Sequence, residues 1–160
     1  MANAAIVSAG TGGEVSVNVT DSTNVIIDIN GYFAPPGSSG ALNFYNWSPC
    51  RVADTRVAPA TIMTGGSTRA FPVQTTPCGT GMPTVGAFVL NATVLPTMPF
   101  GYLTLWGSGS KPVPEVSTLN ATDTALTSNR AIVPAGPGLF TAYVTDQTYL
   151  LFDISGYFAP

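Results

Sequence analysis

The sequence predicts an all-β domain, arranged as a two-sheet sandwich or a jelly-roll-like fold. Glycine and proline recur along the whole chain, with 17 Gly and 14 Pro in 160 residues, so that no stretch favours a long helix. Between them lie short runs rich in β-branched residues, which favour strands. Short strands at this spacing are typical of sandwich folds. The predicted strands are residues 4–8, 14–20, 24–30, 42–47, 51–56, 69–74, 85–95, 101–106, 115–121, 130–134, 139–145 and 149–155.

Two runs near the start of the chain show the strand patterns clearly. Residues 15–19 alternate valine with a polar residue, which is the pattern of a strand with one face in the core. Residues 25–29 are apolar except for Asp28, as expected for a strand that is buried on both faces or lies near the core. Both runs are therefore predicted to be strands.

An internal repeat is the strongest signal in the sequence. Residues 25–35 closely match residues 150–160, at an offset of 153 − 28 = 125. The match extends upstream, because residues 3–7 resemble residues 129–133 at an offset one residue larger. A repeat of this length indicates a tandem array of modules.

These matches predict the domain organisation. Residues 1–35 are interpreted as the tail of a preceding repeat, residues 36–41 as a linker of small residues, and residues 42–160 as one full β repeat module. The fold would thus carry a duplicated three-strand C-terminal segment. Three isolated strands are rarely ordered alone, so the tail is expected to pack on the main unit or on a neighbouring molecule.

Composition places the chain outside the cell and argues against two kinds of partner. Charged residues make up 8% of the sequence and the net charge is −3, so a basic surface for nucleic acid is not expected. No apolar run is long enough for a membrane span, and membrane insertion is not expected either. Serine, threonine and asparagine supply the polarity, which is common in secreted and cell-surface β proteins. The five basic residues are Arg51, Arg56, Arg69, Lys111 and Arg130.

The two cysteines, Cys50 and Cys78, are predicted to form a disulfide. Closing that loop would stabilise the fold by roughly 3–4 kcal/mol through the entropy of the unfolded chain. A metal-binding pair or a catalytic thiol is the alternative. The chain has no histidine, which excludes chemistry that needs a Cys/His combination.

Five short motifs stand in the full module. They read PCRVADTR, LNAT, GYLT, STLN and DISGYF, at residues 49–56, 90–93, 101–104, 117–120 and 153–158. This set resembles a repeat domain of secreted and surface proteins of bacteria, over residues 45–160 and, through the extra copy, 3–35. The resemblance implies a surface repeat or an accessory module without established chemistry.

The few charged residues are predicted to have structural roles. Asp54 and Arg56 stand two apart on a strand and face the same side, which favours an ion pair over a functional pair. Asp28 and Asp153 hold equivalent places in the two copies, which favours a role such as accepting backbone N–H groups over metal binding or catalysis. The proposed structural motif comprises Arg51, Asp54, Arg56, Asp28, Asp153, Gly31, Gly156, Tyr32 and Tyr157.

Aromatic residues suggest a second kind of function. Tyr45 and Trp47 share one face of a predicted strand, Phe44 takes the other face, and Trp106 lies elsewhere. Exposed together, such rings could bind a glycan. Packing in the core is the alternative, and it is the more common fate of tryptophan and phenylalanine.

The sequence offers few groups for catalysis, cofactors or metals. Without histidine a Ser-His-Asp triad is impossible, and no nucleophile elbow, phosphate loop or calcium loop is present. We therefore expect no enzyme activity, no cofactor and no metal site. A hydrolase built on paired carboxylates is the remaining enzymatic alternative.

Together these observations predict a non-enzymatic extracellular module with a structural or adhesive role. It would act as a stalk or assembly unit, and it would self-associate by strand exchange with other repeats or with copies of itself. A carbohydrate- or surface-binding accessory module is the alternative.

Overall fold

The computed structural model describes residues 4–109 and 116–160 and confirms the predicted all-β sandwich. Two four-stranded antiparallel sheets pack face to face. Within the described residues the strands are β1 (Asn43–Asp54), β2 (Ser67–Pro72), β3 (Ala87–Pro96), β4 (Tyr102–Gly107), β5 (Leu119–Asn120), β6 (Thr127–Pro134), β7 (Leu139–Val144) and β8 (Thr148–Ala159).

The last three strands hold both sheets together. The first sheet has the order β1-β8-β3-β6 and the second has the order β2-β7-β4-β5. Strand β8 therefore lies between β1 and β3, while β7 lies between β2 and β4. Removing β6, β7 and β8 would leave β1 and β2 without hydrogen-bonded neighbours in their sheets.

Three phenylalanine rings from both sheets meet at the centre of the core. The rings of Phe71 and Phe152 lie 4.9 Å apart, as do those of Phe140 and Phe152, and both pairs meet edge to face. Burial along β7 alternates from residue to residue, as expected for a strand with one face on the core. These rings bury large apolar areas and add favourable edge-to-face contacts.

The strand predictions for residue 42 onward agree with the structure, with two differences. The predicted strands 42–47 and 51–56 form one strand, β1, which contains a bulge between Asn46 and Cys50. The predicted strand 115–121 is confirmed only for Leu119–Asn120, and residue 115 of it lies outside the described residues.

The strand predictions at 4–8, 14–20 and 24–30 are wrong for this structure. The described residues before β1 form no strand; apart from a 3-10 turn at Thr11–Gly13 they form no regular structure. The physical reason is that the sandwich positions suited to strands of this sequence are already occupied. The positions beside β3, between β2 and β4, and between β1 and β3 are already filled by β6, β7 and β8.

The segment before β1 is exposed along its whole described length. It touches the sandwich near both of its ends: the Ala4 backbone N–H donates to Asn129 Oδ1 at 3.2 Å, and the Phe33 and Phe158 rings lie 6.1 Å apart. Residues 35–41 form two consecutive turns, in which Ser38 N–H donates to Pro35 O and Ala41 N–H donates to Ser38 O. Packing of residues 1–35 on the main unit or on a neighbour stays a prediction.

Candidate functional site: the seam between β1 and β8

The disulfide predicted between Cys50 and Cys78 is present, with its Cα atoms 5.7 Å apart. It joins the bulge of β1 to a 3-10 turn at Pro77–Gly79. A second bond reinforces this link, because the Trp47 indole N–H donates to the Cys78 carbonyl at 2.9 Å. Strand β1 is an edge strand, so these two ties hold it against the rest of the module.

Arg51 binds β1 to β8 through a two-pronged ion pair. Its Nε and Nη2 donate to the two carboxylate oxygens of Asp153 at 2.7 and 3.0 Å, and the two residues are direct partners in the strand register. The Asp153 carboxylate raises the pKa of the Arg51 guanidinium, against partial desolvation, with a further contribution from Asp54. Paired guanidinium and carboxylate groups of this kind fix orientation as well as charge.

Asp54 holds the chain where β1 ends. It accepts three bonds from Arg56: from the backbone N–H at 3.0 Å, from Nε at 2.9 Å and from Nη2 at 2.6 Å. The Arg56 side chain is the main reason that the pKa of the Asp54 carboxyl lies well below its ordinary value. The ion pair expected from the sequence is therefore present, and it braces a turn close to the disulfide.

Thr55, which was not predicted to have a role, forms a buried pair of hydrogen bonds at the seam. It is 1% exposed, its N–H donates to the Leu150 carbonyl at 2.9 Å, and its Oγ1 accepts the Leu150 N–H at 2.8 Å. A buried hydroxyl satisfied in this way continues the strand pairing beyond the end of β1. Thr55 lies between Asp54 and Arg56 in the PCRVADTR motif. Its place in that motif was the only sequence feature that could have indicated this role.

The Gly-Tyr-Phe ending of β8 packs against the start of β1. A Cβ atom on Gly156 would lie 2.5 Å from Phe44 Cε2 and 3.0 Å from the Tyr45 carbonyl oxygen, so a larger residue would displace the Phe44 ring and press on β1. The Tyr157 ring stacks on Tyr45 at 5.3 Å and meets Trp47 at 5.5 Å. This arrangement gives Gly156 and Tyr157 a packing role.

The first copy of this motif does not share these contacts. A Cβ atom on Gly31 would meet nothing within 4 Å, and Tyr32 is 89% exposed. Asp28 is also exposed. Equivalent residues therefore lie in two different environments, one at the seam and one on the surface.

A second set of hydrogen bonds, made by Thr145 and Asp146, was also not predicted, although both residues belong to the internal repeat. The Asp146 carboxylate accepts the Gly101 N–H, and Thr145 Oγ1 accepts the Tyr102 N–H, both at 2.9 Å. The hydrogen bond from Thr145, followed by that from Gly101, lowers the pKa of Asp146. The Val-Thr-Asp triplet at 144–146 also occurs at 19–21, which marks these residues as part of the repeat.

The three aromatic residues suggested for glycan binding do not form one platform. Trp106 is 8% exposed and belongs to β4 in the second sheet, whereas Tyr45 and Trp47 belong to β1 in the first sheet. Trp47 is half-buried and its indole N–H is bonded, while Tyr45 is 40% exposed. The geometry therefore gives Trp47 and Trp106 packing roles.

An open depression of about 840 Å³ lies beside the seam, and its polar groups are already bonded within the chain. Arg51 and Asp54 from its lining form the ion pairs described above. Arg69, also in the lining, donates to the carbonyl oxygens of Thr61 at 2.7 Å and Ile62 at 3.2 Å. The chemistry of this surface is therefore that of internal bracing.

In residues 4–109 and 116–160, no group of three or more His, Cys, Asp or Glu side chains could hold a metal ion. No helix in that part of the chain is long and apolar enough to cross a membrane.

No model of a known protein family, no curated protein and no solved structure matches the chain. The resemblance to bacterial surface repeats therefore stays a prediction that depends on the motifs. The function has to be argued from the seam and from the exposed first copy.

Proposed function

We propose that this chain is a non-enzymatic extracellular repeat module that assembles with other repeats by strand exchange. One observation carries the proposal: residues 4–34 resemble residues 130–159, which contain most of β6 and all of β7 and β8, but they lie exposed outside the sandwich. Their apolar side chains are the ones that a sheet would bury. The large apolar residues exposed there are Ile6, Val7, Val15, Val17, Val19, Val25, Ile26, Ile27, Ile29, Tyr32 and Phe33.

The partner in this proposal is the first five strands of another module. In the sandwich, β8 fills the gap between β1 and β3, and β7 fills the gap between β2 and β4. A module deprived of these strands would present two open grooves with unpaired backbone groups. A segment of the same sequence supplies the missing hydrogen bonds and the missing apolar surface together.

The disulfide and the composition support the extracellular part of the proposal. Disulfides persist in oxidising compartments, and Cys50 and Cys78 are joined here. The ion pairs of Arg51 and Arg56 stiffen the same end of the module. Such a unit suits a stalk or an assembly element.

The test compares two chains, residues 1–160 and residues 37–160. The solution mass of each is measured over a series of rising concentrations. The shorter chain keeps all eight strands and lacks residues 4–34 together with their contacts to Asn129 and Phe158, so it is the matched control. We expect the full chain to be monomeric at low concentration, where its own β6, β7 and β8 complete the sandwich, and to form dimers and larger species as the concentration rises. The shorter chain should remain monomeric throughout. A full chain that stays monomeric at high concentration would contradict self-association.

A further inference from the structure

We propose that the five strands β1–β5 can be completed by either of two strand sets of the same chain. One set is residues 127–159, as seen in the structure, and the other is residues 4–34. The chain would then contain two overlapping sandwiches that share β1–β5, the second being a circular permutation of the first. This exchange within one molecule goes beyond assembly between molecules.

The two strand sets agree at the positions that form the seam. Residues 25–35 and 150–160 are identical at Asp28, Ile29, Gly31, Tyr32, Phe33, Ala34 and Pro35. Their counterparts Asp153, Gly156 and Tyr157 are the residues that bind Arg51, Phe44 and Tyr45. Residues 4–34 therefore carry the groups that β1 recognises.

The connection from residues 4–34 to β1 is long enough for this exchange. Ala159 pairs directly with Asn43 in the antiparallel register, so Ala34 placed in the position of Ala159 would lie beside Asn43. Residues 35–42 would then join two neighbouring strands, and a loop of 42 − 34 = 8 residues easily spans the gap of about 5 Å between paired strands. The two turns at 35–41 already reverse the chain in this stretch.

The first copy, residues 4–34, already lies close to the strands that it would replace. Phe33 lies against Phe158, which is its own counterpart, and Ala4 is bonded to Asn129, next to its counterpart Arg130. Both described ends of the first copy thus lie beside the corresponding ends of the strand set that it would replace.

Core packing explains why residues 127–159 occupy the sandwich in the structure. Phe152 and Phe140 contribute two of the three central rings, whereas the first copy has Ile27 and Val15 at the same places. Smaller side chains there would leave a gap beside Phe71 and weaken the core. Within one chain, residues 127–159 therefore occupy the sandwich when both sets are intact. Residues 4–34 replace them when a substitution disrupts the C-terminal set.

The experiment places the same charge in each set of the full chain and follows hydrogen exchange by peptide. Phe152→Asp puts a carboxylate where the side chain is fully buried, and Ile27→Asp makes the matched change in the exposed copy. In Phe152→Asp we expect exchange in residues 25–34 to slow by at least about tenfold while residues 150–159 lose protection. The disulfide and a cooperative unfolding transition should be retained.

The double variant Phe152→Asp/Ile27→Asp should unfold, although Ile27→Asp alone leaves the folded sandwich intact. A second pair repeats the test with a milder change: Gly156→Val should transfer protection to residues 25–34, and adding Gly31→Val should abolish it. Solution mass distinguishes the two forms of exchange, and the proposal requires a monomer. An unfolded Phe152→Asp chain, unchanged exchange in residues 25–34, or protection found only in dimers would each overturn it. Self-association of the unmodified chain is measured separately and does not depend on this outcome.

Discussion

Residues 4–34 and 129–159 have closely related sequences but different structures. Ile154 is fully buried and Tyr157 is 6% exposed, whereas their counterparts Ile29 and Tyr32 are 84% and 89% exposed. The same local sequence is thus a central strand in one place and an unpaired surface segment in the other. Strand propensity alone does not decide the outcome, because a strand gains its stability from neighbours in the sheet.

The difference also shows what the seam motif needs. Asp153 binds Arg51 because β8 lies in register with β1, and Gly156 leaves room for the Phe44 ring and the Tyr45 backbone. Asp28 and Gly31 have the same sequence context but no β1 beside them. The motif is therefore one half of an interface, and β1 supplies the other half.

The largest expected effect comes from truncating the core residue that the two copies do not share. Phe152→Ala should lower the free energy of unfolding by about 3–5 kcal/mol, because it removes a fully buried ring that contacts Phe71 and Phe140. The matched Ile27→Ala should change it by less than about 0.5 kcal/mol. Urea unfolding monitored by circular dichroism measures both. Equal losses in the two variants would mean that residues 4–34 contribute to the folded module as much as β8 does.

The sequence predicted the sandwich, the disulfide and the strands of the full module because these depend on local signals. Alternation in β7 and the apolar run in β8 identify core-facing strands wherever a partner is present. The unpaired state of residues 4–34 could not be predicted in this way, since it depends on which of two similar segments fills the gap beside β1. The role of Thr55 was hidden for a related reason: a hydroxyl becomes a clamp only when Leu150 lies opposite it.

A smaller effect is expected from the acid that the two copies do share. Asp153→Asn should lower the free energy of unfolding by about 1 kcal/mol or less, because the ion pair with Arg51 is partly exposed to solvent. The loss should shrink as salt is raised, since mobile ions screen the pair. Asp28→Asn serves as the control and should leave the free energy of unfolding of the full chain unchanged. Thermal unfolding at low and high salt checks both, and a salt-independent loss would contradict the ionic role.

The smallest expected effect concerns the turn brace, and its sign follows from the lowered pKa of Asp54. A carboxylate whose pKa is lower in the folded state stabilises the fold at pH values above its ordinary pKa of 3.8. That contribution is lost as the pH falls below this value. The reason is that the folded state, with its lower pKa, binds a proton at Asp54 less readily than the unfolded chain does. The ion pair lies at the surface, so we expect less than about 1 kcal/mol from it. Unfolding experiments from pH 6 to pH 2 should show a shallower acid loss in Asp54→Asn than in the parent chain. Asp54 lies in β1 rather than in either copy, so the same difference should remain when residues 1–36 are removed. If the difference disappeared, residues 4–34 would have to interact with β1 near Asp54.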